Sequence, residues 1–318
     1  MEYFNRRKFM KTTAASMAGI VLPFGSPAAV GDGPGTPAGV SKGFDLMQEV
    51  MKYPKLDAHV HVYLGKAGPE DNVRFFERLG FTRMFISRPV TAGIDSGKGT
   101  PDEFRRSNDI VYQCVKKYPD KLTGMFTLNP EHAKESLEEI KRSVDRGMVG
   151  LKVYHQVKIN NPLFYPVIEK MIDLKMIILM HAEATLGVAG YRMKYDKGIR
   201  PQASLPEDFA DVAKRYPEAL FQYAHIGGGT DWEYACKILR HSPNVYLDTS
   251  GSNNEEHMID FAVKEVGIDR LLFGSDNMFY QSIGKVLCSG LTDAQKRKLF
   301  FENYNTILKK GGYHVDRL

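Results

Sequence analysis

The chain has 318 residues, 43% hydrophobic, 25% charged and 11% aromatic, which excludes disorder for most of its length. Arg6, Arg7, Lys8 and Lys11 against Glu2 place +3 of the formal +5 charge in the first thirty residues and leave +2 for the rest. No basic stripe follows, so a nucleic-acid partner is excluded. Cys114, Cys236 and Cys288 show no C-x-x-C or finger spacing, which reads as small core residues with no disulfide framework.

At the N-terminus, Asn5-Arg6-Arg7-Lys8-Phe9-Met10-Lys11 precedes a mild apolar run from Thr12 to Leu22. Residues 1–28 resemble a twin-arginine export signal, with small residues for cleavage at Ser26-Pro27-Ala28; a basic amphipathic tail is the competing reading. The run is too short to span a bilayer of about 30 Å as a helix. Twin-arginine export carries folded, often cofactor-loaded proteins, so the resemblance implies a periplasmic location. Residues 29–43 are rich in Gly and Pro and cannot bury enough apolar surface to order themselves. They are expected to be a spacer, and residues 44–318 a single folded domain.

Beyond the spacer, short apolar runs alternate with longer stretches of helical period, the pattern of a parallel sheet. The runs are Lys55 to Val62, Phe81 to Ser87, Leu122 to Leu128, Val149 to Tyr154, Met176 to His181, Leu220 to His225, Val245 to Thr249 and Leu271 to Asp276. Most are nearly continuous in apolar residues, as strands covered on both faces are. Thr100-Pro101-Asp102-Glu103 opens a helix with a cap, a proline and two acids on the positive end of the dipole. Asn129-Pro130-Glu131 repeats the device, with Leu137, Ile140 and Val144 on one buried face and Gly147 as terminator. Thr292 and Gln295 have capping-box spacing. The predicted fold is an α/β (β/α)8 TIM barrel.

In such a barrel the chemistry sits at the C-terminal ends of the strands. Of nine histidines, His59 and His61 close the first run, His181 the fifth and His225 the sixth; His155 follows the fourth, and Asp276 closes the eighth. His132, His241, His257 and His314 fall in helices, helix ends or the tail, where solvent is expected. The period of two puts His59 and His61 on one face, toward the mouth. With His181 and Asp276 on the same rim, four nitrogen and oxygen donors converge as a divalent metal such as zinc requires.

Asp57-Ala58-His59-Val60-His61, His181, His225-Ile226-Gly227-Gly228, Gly274-Ser275-Asp276 and the closing Glu302-Asn303-Tyr304-Asn305 together resemble the amidohydrolase superfamily, in its amidohydrolase-related branch. That branch contains hydrolases and also aminocarboxymuconate-semialdehyde and resorcylate decarboxylases. The resemblance implies one divalent ion, zinc first, held by His59, His61, His181 and Asp276, with a position open for water whose pKa falls from about 16 to about 7. It also implies that Asp276 takes that proton and returns it to the leaving group, and that His225 acts as an acid or as a hydrogen-bond donor to the reacting oxygen. In two-metal relatives the matching histidine is a ligand, and a lysine at the position of Lys152 is carbamylated. The other readings of Lys152 are substrate binding or pairing with an acid such as Glu183 or Asp57. Asp57 lies one layer deeper than His59 and is expected to orient a ligand or pair internally.

Arg88 and Arg192 are candidate substrate contacts, since an arginine fork suits a carboxylate. The long stretch from Ala184 to Ser204 is the candidate lid. Asn277-Met278-Phe279 departs from relatives that carry a proline soon after the aspartate. The expected activity is hydrolysis of an ester, lactone or amide of a small molecule by metal-activated water. The alternatives are non-oxidative decarboxylation at the same site and a catalytically silent ligand-binding barrel. No membrane span is expected, and the oligomeric state stays open, a homo-oligomer included.

Overall fold

Eight parallel strands alternate with helices in a computed structural model that describes residues 45–63, 68–88, 90, 99–182, 202–226, 232–251, 255 and 257–316. The expected leader and spacer, Glu183, Arg192 and most of the candidate lid lie outside the described residues. In chain order the first half runs α1 (Leu46–Met51), β1 (Leu56–His61), α2 (Pro69–Leu79), β2 (Arg83–Ser87), α3 (Pro101–Lys117), β3 (Leu122–Gly124), α4 (Ala133–Asp145) and β4 (Gly150–Val153). The second half runs α5 (Tyr165–Leu174), β5 (Ile177–Met180), α6 (Pro206–Arg215), β6 (Leu220–Tyr223), α7 (Trp232–Leu239), β7 (Val245–Asp248), α8 (Met258–Val266), β8 (Leu271–Leu272), α9 (Phe279–Leu287), α10 (Asp293–Arg297) and α11 (Asn303–Lys310).

Continuous ladders join β1 to β3 and β4 to β8. Two seams complete the ring. Phe126 pairs with Leu151 between β3 and β4, with Phe126 N donating to the Gly150 carbonyl at 2.9 Å. Between β8 and β1, Ala58 N donates to the Phe273 carbonyl at 2.9 Å and Asp276 N to that of His59 at 2.8 Å. The result is the expected (β/α)8 barrel. No helix among the described residues is long and apolar enough to cross a membrane.

Side chains alternate along each strand, so inward positions form layers. Phe85, Ile177, Leu179, Leu220 and Leu272 share one buried cluster with Phe301, Tyr304, Ile307 and Leu308, which seal the bottom. Two residues farther up the same faces come Ser87, His181, Gln222 and Gly274. A barrel filled with hydrocarbon below and polar groups above confines the chemistry to its mouth.

Three expectations need correction. Asn129 does not cap the fourth helix: its Oδ1 accepts from Glu131 N at 3.1 Å in a local turn, and the helix begins at Ala133. Leu137 is 36% exposed, and the buried face is Ser136, Glu139, Ile140 and Ser143. The face turns because Asn108 Nδ2, at 2.8 Å, and Arg142 supply donors to the Glu139 carboxylate, which lets an acid take a core position. Cys114 and Cys236 are buried as expected, but Cys288 is exposed, at the end of α9. Trp232 packs internally, edge-on to Phe261 with ring centroids 5.2 Å apart.

Candidate metal centre

β1 delivers His59 and His61 to one face with both rings buried. His59 Nδ1 lies 3.0 Å from Asp248 Oδ2, and His61 Nδ1 lies 3.0 Å from Ser87 Oγ. Tying the two Nδ1 atoms turns the two Nε2 atoms toward each other, 3.2 Å apart. Asp276 Oδ1 completes a triangle, 3.2 Å from His61 Nε2 and 3.7 Å from His59 Nε2. A cation about 2.1 Å from each donor would set them about 3.0–3.4 Å apart; two edges of the triangle fall in that range and the third, at 3.7 Å, is slightly longer. Two imidazoles and a carboxylate suit a borderline divalent ion. The site fits a metal.

His225 adjoins this triangle. Its Nδ1 is 3.8 Å from Asp276 Oδ2, and donor atoms of His59, His225 and Asp276 all lie within 4.8 Å of one another. His181, expected among the ligands, is held on His225 with Nδ1 2.9 Å from Nε2, and its ring stacks on Tyr154 at 4.2 Å. Both His225 nitrogens are thus engaged, since Nδ1 also meets Ser250 Oγ at 2.9 Å. Service as a donor to a reacting oxygen requires one of those contacts to open. The His155 ring is edge-on to His181 at 4.5 Å.

Backbone strain gathers at the same place. His225, Asp276 and Asn277 have φ of 71°, 49° and 65°, a left-handed conformation that ordinary residues adopt at a cost. Asn277 repays it at the seam: its Oδ1 accepts from His61 N at 2.7 Å, and its Nδ2 donates to the His61 carbonyl at 2.9 Å. The amide thereby acts as one more strand partner for β1. Asp57 clamps the seam one layer below, accepting from Ser275 N at 2.9 Å and His59 N at 3.2 Å. That matches the expectation of internal pairing for Asp57 rather than metal contact.

Burial governs the electrostatics. It drives His61, His181 and His225 well below the ordinary histidine value, so these rings are neutral at pH 7. It raises the Asp276 carboxyl and pushes Asp57 up to about 7. It also lowers Lys152 to about 8, against the opposing pull of Asp276 and Asp248. Lys152 is fully buried at the inward face of β4, and its Nζ has no hydrogen-bond partner among the described residues. Burial would raise Asp248 too, but His59, His225 and Ser250 overcome it and hold this carboxyl far below the usual range. Arg88 is half-buried after β2, and its Nη1 donates to the Val62 carbonyl at 3.2 Å.

A family pattern described as amidohydrolase matches residues 56–303, from the first residue of β1 to the start of α11. The chain belongs to the amidohydrolase family. This amidohydrolase is 24% identical over 284 residues to a gamma-resorcylate decarboxylase of Polaromonas sp. (strain JS666), covering 74% of this chain and 86% of that relative. Its fold matches a crystal structure of 2,6-dihydroxybenzoate decarboxylase from Rhizobium, with TM-score 0.62, 17% identity, and 81% and 99% of the two chains covered. It also matches a dihydroxybenzoic acid decarboxylase from Polaromonas sp. JS666 with bound manganese and the inhibitor 2-nitroresorcinol, at TM-score 0.61 and 19% identity over 81% and 97%.

Four residues of this amidohydrolase site escaped the sequence reading: Asp248, Ser250, Ser87 and Asn277. Asp248 had a signal, an acid at an inward position near the end of an apolar run. The serines had none, because a hydroxyl beside a strand end is common and its partner lies far away in sequence. Asn277 stands out in the sequence only as a departure from the relatives' proline, and its pairing with His61 depends on the folded seam.

Proposed function

We propose that this chain is a metal-dependent non-oxidative decarboxylase of a hydroxylated aromatic carboxylate. The observation that carries the metal-dependent part of the reading is the triangle of His59 Nε2, His61 Nε2 and Asp276 Oδ1. Hydrolysis would use the same donors, so the triangle alone does not choose between the two. The relatives supply the preference, since each named above breaks a carbon–carbon bond to a carboxylate on a dihydroxylated ring. The resident ion is one divalent cation, with manganese and zinc as the candidates and His181 as a further donor.

An ion held by His59, His61 and Asp276 would supply positive charge that favours an anionic substrate at the mouth. Asp276 holds the proton: Oδ1 faces the two imidazoles, and Oδ2 is turned toward His225. Delivering that proton to the ring carbon bearing the carboxylate makes a new C–H bond. The carbon–carbon bond then breaks, its electron pair restores the aromatic ring, and carbon dioxide leaves. Asp276 recovers a proton from solvent for the next turnover. Lys152 places a cation beneath the site that favours an anionic substrate, with Arg88 and Arg192 as candidate contacts for its rim. Residues 1–28 are proposed to export the loaded enzyme to the periplasm.

The test is incubation of the metal-loaded protein with 2,6-dihydroxybenzoate in D2O. Carbon dioxide release with one deuterium on the vacated ring carbon is the expected result. Cleavage of esters or amides with oxygen from labelled water, and no carbon dioxide, would return the assignment to hydrolysis.

A further inference from the structure

The carboxylate of Asp248 is fully buried at the end of β7 and gathers five hydrogen bonds. Oδ2 receives His59 Nδ1 at 3.0 Å and Gln222 Nε2 at 2.9 Å. Oδ1 receives the backbone N–H groups of His225 and Ser250, each at 3.1 Å, and the Ser250 hydroxyl. A carboxylate only accepts, and each hydroxyl has one proton to give. The positions of several protons follow by elimination.

Because Asp248 accepts, His59 carries its proton on Nδ1 and turns the Nε2 lone pair into the triangle. Because Ser250 spends its proton on Asp248, its oxygen can only accept from His225 Nδ1, 2.9 Å away. His225 Nε2 is then an acceptor, so His181 Nδ1, 2.9 Å from it, must carry the proton. The lone pair of His181 lies on its Nε2. We propose that Asp248 is a positioning residue that sets the tautomers of His59, His225 and His181, and with them the direction in which each ring offers its lone pair. His61 stands outside this control: Ser87, which donates to the Val60 carbonyl at 3.4 Å, sets it independently.

The consequence is an asymmetric grip. One neighbouring imidazole is backed by a charge and the other by a hydroxyl, and a carboxylate behind a ligand imidazole raises its basicity. The inference rests on the metal reading only for its affinity arm; the tautomer arm stands without it.

The test is Asp248→Asn in the full chain. Asn keeps an acceptor for the three donors on Oδ1 and places its amide nitrogen against His59 Nδ1 and Gln222 Nε2, so His59 must move its proton to Nε2 and Gln222 must turn its amide to present Oε1. Long-range 1H–15N spectra of the metal-free protein, assigned with single His→Gln variants, are expected to show His59, His225 and His181 protonated on Nδ1 in the wild type. They are expected to show His59 alone switched in the variant. Chelator competition with manganese is expected to show affinity lower by about 10–100-fold, the range for loss of such a partner. Wild-type tautomers together with wild-type affinity in Asp248→Asn would overturn the proposal. Should that variant fail to fold, Ser250→Ala decides: His225 is expected to lose its fixed Nδ1 proton while His59 keeps its own, and an unchanged His225 would overturn the proposal. Correct tautomers without manganese binding would leave Asp248 in place and overturn the metal reading instead.

Discussion

Gly274, two residues past β8, packs against His59 and Asp248. A Cβ there would stand 3.0 Å from His59 Cβ and 3.2 Å from Asp248 Cγ, tighter than packed side chains tolerate. Gly274→Ala is expected to cost about 1–3 kcal/mol of stability and to weaken metal binding, because His59 and Asp248 must yield together. Denaturant titration and chelator competition would check both. The motif Gly274-Ser275-Asp276 was readable as a motif, but its glycine is explained only by the side chains that crowd it. A second residue-scale prediction concerns Lys55, fully buried with Nζ donating to the carbonyls of Val50 at 2.6 Å and Tyr53 at 2.7 Å. Burial lowers it from 10.5 to about 8. Between those values the unfolded chain binds more protons than the folded one, so stability rises with pH through that window. The gain is about 3 kcal/mol at most. Below pH 8 both states are protonated and the full cost is carried. Lys55→Met is expected to lose this rise relative to wild type in urea titrations at pH 7.5 and 10.5, and an unchanged slope would place the cause elsewhere.

Among the elements, helix starts with reciprocal side-chain caps were legible and the faces they bury were less so. Thr292 and Gln295 bond as their spacing implies, with Gln295 N donating to Thr292 Oγ1 at 3.3 Å and Thr292 N to Gln295 Oε1 at 3.0 Å. Both atoms are exposed, so the cap acts locally. Thr292→Ala is expected to cost about 1 kcal/mol in thermal unfolding and to leave metal content unchanged. Helix α4 shows the limit. Its apolar spacing placed Leu137 inward, yet Glu139 took the core position because Asn108, on α3, and Arg142 met its carboxylate. A helix of period 3.6 offers adjacent faces of similar hydrophobicity, and the neighbouring helix decides between them. β8 likewise is shorter than its apolar run: the ladder to β7 ends at Leu272, and beyond it the chain pairs with β1 before turning through left-handed residues at Asp276 and Asn277.

For the molecule as a whole, the centre draws on both ends of the barrel sequence. His59 and His61 come from β1 and Asp276 from beyond β8, so a bound ion would staple the seam that closes the ring. Ligands that bind only the folded state stabilise it. Manganese at a hundredfold over its dissociation constant is therefore expected to raise stability by about 3 kcal/mol, read as a higher Tm than in chelator. The increment is expected to vanish in His59→Ala/His61→Ala. An equal rise in the double variant would mean that the ion binds elsewhere.

The order of strands and helices, the barrel and the placing of His59, His61 and Asp276 at its mouth were legible in the sequence because they depend on local periodicity: apolar runs buried on both faces, polar residues at alternate positions, caps at fixed offsets; the contact of His181 with His225 was not. The choice between hydrolysis and decarboxylation was not, because both reactions use the same donors. Contacts across large separations belong to the tertiary structure: the carboxylate of Asp248 behind His59, the hydroxyl chain through Ser250 to His225 and His181, and the Asn277 amide against His61. Pairing by hydrogen bond is set by distances of about 3 Å, and only the closed barrel brings groups from the ends of β1, β5, β6, β7 and β8 that close.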